Sequence, residues 1–120
     1  MSDTLNGAGL DRVSVKTANY TVVAATDNGK VFTNEGAAGA ITFALPAATV
    51  GQRYGFHVMA AQELRIDPNG TETISLPTGV QQAAGKYIGA DAAGEYILIR
   101  CVKAGQWNAF GAVGTWTAEA

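Results

Sequence analysis

The chain has one cysteine, Cys101, one histidine, His57, and only three prolines. A single thiol excludes an intramolecular disulfide and any multi-cysteine zinc site. It suits a protein made in a reducing cytosol. Basic runs are also missing. The eight Lys and Arg residues are scattered singly and the net charge is −2. No basic stripe tracks phosphates, so no nucleic-acid partner is expected. No uninterrupted apolar run is longer than Tyr96-Ile97-Leu98-Ile99. That is far short of a membrane span, so no membrane partner is expected. The start, Met1-Ser2-Asp3-Thr4-Leu5-Asn6-Gly7, lacks a positive region and an apolar core, so no secretory signal is expected.

What is present is a small globular composition. At 120 residues the chain reads as one domain, with 48% apolar and 15% charged residues. Alanine is abundant, glycine numbers 15 and aromatics are few, so the core is thin and assembly would help to stabilise it.

Short alternating runs cut by turn residues extend from Tyr20 to Thr117. Strands are expected near residues 13–16, 20–25, 30–34, 40–45, 53–59, 63–67, 72–76, 86–88, 95–103 and 106–110. Asp27-Asn28-Gly29 reads as a hairpin turn, and Asp67-Pro68-Asn69-Gly70 as the clearest turn in the chain. Alternation puts Tyr54, Phe56 and Val58 in the core, with Leu64 and Ile66. The run 95–103 is apolar on both faces, as expected of a central strand or one at a subunit contact. No segment keeps a helical period. The pattern describes an all-β fold: a compact β-sandwich, jelly roll or barrel of about ten short strands. Residues 1–12 read as a polar N-terminal arm and 13–120 as the single all-β domain. The segments Thr42-Phe43-Ala44-Leu45-Pro46 and Thr73-Ile74-Ser75-Leu76-Pro77 match, and read as two strands ended alike by proline rather than as a duplication.

Candidate chemistry is sparse. His57 lacks an adjacent nucleophile or orienting carboxylate in the sequence pattern and reads as a surface or interface residue. Cys101 sits in the most apolar strand and reads as packed and inert. Glu63, Asp67 and Glu72 surround one turn but lack the ligand alternation of a calcium loop. Trp107 and Trp116 read as core or contact aromatics, with sugar stacking on an exposed tryptophan as the alternative. No catalytic residue, metal or cofactor is expected.

The runs Asn19-Tyr20-Thr21-Val22-Val23, Asp27 to Asn34 and Ile41 to Pro46 resemble a module of tailed-bacteriophage virion proteins. The resemblance continues through Leu64 to Gly70 and Lys103 to Trp107, and ends at Gly114-Thr115-Trp116-Thr117. It covers about residues 19–117 and rests on strand and turn residues. In such phages the module occurs at tail-fibre ends and as small head proteins. With no fibre shaft in this chain, the resemblance implies a capsid decoration, or cement, protein. It implies a homotrimer on the capsid surface that binds the major capsid protein and is made in the host bacterial cytoplasm. The alternative is a receptor- or carbohydrate-binding module of a tail fibre. The expected contact residues are Leu5, Leu10, Arg12 and Val13 in or beside the arm, and Trp107, Phe110 and Trp116 near the C-terminus.

Overall fold

Strand periodicity dominates the computed structural model, which describes residues 12–120. Eleven strands form two sheets. They are β1 (Arg12–Val15), β2 (Tyr20–Thr21), β3 (Lys30–Thr33), β4 (Ile41–Ala44), β5 (Arg53–His57) and β6 (Leu64–Asp67). After these come β7 (Thr73–Ile74), β8 (Ile88–Ala90), β9 (Tyr96–Lys103), β10 (Gln106–Val113) and β11 (Thr117–Ala118). The all-β expectation holds. The one helix among the described residues is the single turn α1 (Ala24–Asp27).

The first six strands alternate between the sheets. In the six-stranded sheet, β3 lies parallel to both β1 and β5. In the five-stranded sheet, β4 lies parallel to both β2 and β6. The chain therefore winds as a coil of three two-strand rungs, each stacked on the one before. Parallel neighbours need a crossover, and here each crossover is a strand of the opposite sheet. The second half caps the coil with antiparallel strands: β9 pairs with β5, β8 with β6, and β9 turns through Ala104-Gly105 into β10. The sheet orders β1-β3-β5-β9-β10-β7 and β11-β8-β6-β4-β2 are both open.

The register brings like side chains together. Phe32 pairs with Phe56 and then Ile97 in the larger sheet, and Tyr20, Phe43, Ile66 and Ile88 form the facing row. Phe32 stacks on Phe56 with ring centres 5.7 Å apart, and Phe43 lies 5.2 and 5.3 Å from them. Tyr54, Phe56, Val58, Leu64 and Ile66 are all fully buried, as alternation predicts. Side chains of this size each contribute about 1.5–3 kcal/mol when fully buried.

The hairpin expected at Asp27-Asn28-Gly29 does not form. β2 and β3 lie in different sheets, and the segment between them makes a helical turn. Buried Asp27 accepts hydrogen bonds from Val23 N (2.9 Å), the Tyr20 hydroxyl (2.7 Å) and Lys30 Nζ (2.9 Å). Its carboxylate ties the turn together and joins adjacent rungs, and Gly29 at φ 87° completes the exit. The strand expected at 72–76 is reduced to Thr73–Ile74, because the chain turns back there: Leu76 N donates to Val80 O at 3.0 Å and Ile74 O accepts from Gln82 N at 3.0 Å.

Asn34 is fully buried at a corner of the coil. Its Oδ1 accepts from Met59 N (2.7 Å) and Ala60 N (3.0 Å), and its Nδ2 donates to Ala60 O (3.2 Å) and Gln62 O (3.3 Å). Asn34→Ala leaves those backbone groups without partners and is expected to cost about 2–4 kcal/mol, measured by urea unfolding. Burial pushes the Asp27 carboxyl up, but its hydrogen bonds and Lys30 outweigh this and hold its pKa below the ordinary value. The resulting stabilisation is complete above about pH 4 and declines as pH falls through the lowered value. Asp27→Asn is expected to remove that acid-dependent loss and to cost about 2 kcal/mol at pH 7, read from unfolding at pH 3 and 7.

Candidate functional site

Alternation along the larger sheet sends Phe32, Tyr54, Phe56, Ile97 and Ile99 inward, and the intervening residues onto an outer face. One outward row runs Val13, Val31, Gly55, Leu98 and Gly111 across β1, β3, β5, β9 and β10. The next runs Val15, Thr33, His57, Tyr96 and Val113. The outer face of a sheet is ordinarily polar when it meets water. This one is apolar, with Val13 66% and Val15 51% exposed and Val113 also open.

Gly55 shapes the middle of the face. A Cβ there would lie 3.1 Å from both Leu98 Cδ2 and Val31 Cγ2, so those side chains close over the glycine. Beside them is a shallow depression of about 280 Å3 lined by Val31, Phe56, His57, Tyr96 and Leu98. At one end of the face, Arg53 and Arg100 are direct cross-strand partners, and the Arg100 guanidinium lies 4.9 Å from the Phe110 ring.

The expected contact residues divide. Leu5 and Leu10 lie outside the described residues. Arg12 and Val13 belong to β1 rather than to the arm. Arg12 donates to the Thr26 and Asn28 carbonyls, which fixes it against the α1 turn. Val13 is on the open face, and Phe110 is 38% exposed at a bulge in β10. Trp107 and Trp116 correct the expectation. Trp107 is 0% exposed against Tyr54 at 5.6 Å, and Trp116 is buried with its indole N–H donating to Tyr96 O at 3.0 Å. Trp107 takes an inward position of β10, and Trp116, just before β11, packs into a core built mainly of Ile, Phe, Val and Leu, so neither tryptophan offers a face to a partner or a sugar ring. The run 95–103 forms β9, a central strand of the larger sheet as expected, with one face packed and the other open: Tyr96 and Leu98 are half-exposed and Val102 is 59% exposed.

The remaining candidates are occupied structurally. The His57 ring packs 5.6 Å from Tyr96. The buried Cys101 thiol contacts Lys103 O at 3.2 Å, and burial pushes its pKa up, away from reactivity. Glu63 pairs with Arg65 at 2.8 Å, while Glu72 accepts Ala48 N at 2.9 Å. Among the described residues no group of three or more His, Cys, Asp or Glu could hold a metal ion. No described helix is long and apolar enough to cross a membrane. The open face was only half legible in the sequence. The signal was the run 95–103, apolar on both sides, but its partner rows on β1, β3 and β5 come from long-range pairing.

The chain matches no protein-family model and no curated protein.

The Trp107 indole N–H has no hydrogen-bond partner among the described residues. Trp107→Phe removes no hydrogen bond and is expected to cost about 1–2 kcal/mol, against about 3–5 kcal/mol for Trp107→Ala. Thermal unfolding of both variants measures the difference.

Proposed function

We propose that the protein is a structural subunit of a tailed-bacteriophage virion that decorates and stabilises the capsid, binding between major capsid subunits without catalysis. The observation that supports a docking role is the apolar outer face of the six-stranded sheet. A face of this kind gains free energy when covered by another protein surface. The phage assignment rests on the resemblance over residues 19–117. An open apolar face fits a protein that gains stability from assembly. Sugar stacking through Trp107 or Trp116 loses its footing, because both side chains are buried.

Mass spectrometry and antibody labelling of virions from the encoding phage are expected to place the chain on the head. Labelling confined to the tail would contradict the proposal. Removing residues 1–11 leaves β1 intact and is expected to preserve cooperative unfolding while abolishing binding to heads. Undiminished head binding by the shortened chain would overturn the role of Leu5 and Leu10.

A further inference from the structure

The larger sheet carries its charge unevenly along the strand direction. None of its six strands contains Asp or Glu. At the end where β1, β3 and β5 begin and β9 finishes, Arg53 and Arg100 share the outward register of Gly55 and Leu98, whereas Arg12, Lys30 and Lys103 share the register of inward residues and Lys30 pairs with Asp27 at 2.9 Å. Arg53 and Arg100 face each other across β5 and β9, and neither makes an ion pair among the described residues. Like charges placed directly opposite repel. Beyond the other end, where β3 finishes and β9 is entered, lie the exposed carboxylates Glu35 and Asp91. The apolar rows and the depression over Gly55 lie between the two ends.

We propose that this face binds a second copy of the same chain, face to face, about a two-fold axis that crosses the strands. Such an axis reverses the strand direction of the copy. It lays the Arg53 end of each chain over the Glu35 end of the other, so that both mismatched ends are neutralised at once. A two-fold axis running along the strands would stack the arginine ends on each other instead. The contact is isologous and self-complementary, the commonest form of closed assembly. The depression of about 280 Å3 receives an apolar side chain of the copy.

The area bounds the contact. Five strands spaced by about 4.8 Å, over about six residues at about 3.3 Å each, cover a patch of about 24 by 20 Å. Two such patches bury about 1,000 Å2 in total, the lower limit for a specific interface, so the dimer is expected to be concentration-dependent. The inference shares with the proposed function only its reading of the face as a docking surface. A dimer closed in this way covers the face, so self-association competes with capsid binding through it.

Sedimentation equilibrium of the full chain, from about 1 μM to about 1 mM, tests it. The mass is expected to rise from monomer to dimer with concentration. Arg53→Glu is expected to weaken association about tenfold, and adding Glu35→Arg in the same chain to restore it to within about threefold. Leu98→Asp is expected to abolish it. Thermal unfolding of the Arg53→Glu chain checks that the fold is kept, since its backbone bond to Asn28 does not involve the guanidinium. A monomer throughout, a trimer mass, or a dimer indifferent to Arg53→Glu and Leu98→Asp would overturn the proposal. Failure here leaves the virion assignment standing, and absence from virions leaves the dimer standing.

Discussion

The in-register stacking of successive rungs is the constraint on which the rest of the molecule depends. Because β1, β3 and β5 pair in parallel, the chain must leave the larger sheet after each strand and return one rung further on. The opposite sheet supplies the return path, with β2, β4 and β6 pairing in the same sense. Both sheets therefore grow together around one apolar layer, and a one-residue slip in any strand would turn its buried set outward. The Phe32, Phe43 and Phe56 cluster sits where the rungs meet and penalises such a slip. The corners carry the opposing cost, since backbone groups there leave the ladders. Buried Asn34 and Asp27 supply the missing hydrogen bonds, and Asn19 Oδ1 accepts Thr42 N at 2.8 Å.

The same constraint produces the open face. A coil with parallel strands needs a terminus, and the antiparallel β8, β9 and β10 supply it on one side. The long β9–β10 hairpin broadens the larger sheet, and among the described residues no further layer covers its outer surface. Valines on β1 and β3, Leu98 and Tyr96 on β9, and glycines at 55 and 111 then form one apolar band with Arg53 and Arg100 at one end. The proposed capsid docking and the proposed self-association would each cover this band and so compete for it.

Local pattern was enough for the inward residues of β5 and β6, because a period of two needs no knowledge of partners. It was also enough for the Ala104-Gly105 link between β9 and β10. Pairing was not local. Asp27-Asn28-Gly29 has hairpin chemistry, yet Tyr20 pairs with Phe43 in one sheet and Val31 with Gly55 in the other. The similar Thr42 and Thr73 segments lie in different sheets, so their likeness reflects proline-stopped strand ends alone. The true structural repeat, with Tyr20, Phe43 and Ile66 in equivalent positions, shares only bulk and apolarity. Asn34 left no sequence signal, because its partners at Met59, Ala60 and Gln62 are distant in the chain. The tryptophans were ambiguous by composition, and packing against Tyr54 and beneath Tyr96 resolved them as core.

The central claim is that the outer face of the six-stranded sheet is the working surface of the molecule. Hydroxyl-radical footprinting of the chain across a concentration series tests it most directly. Oxidation of Tyr96, Leu98 and Val113 should fall as concentration rises, while Tyr87, which packs on Arg65 beside the other sheet, stays constant. Equal oxidation of Tyr96 and Tyr87 at every concentration would contradict the account.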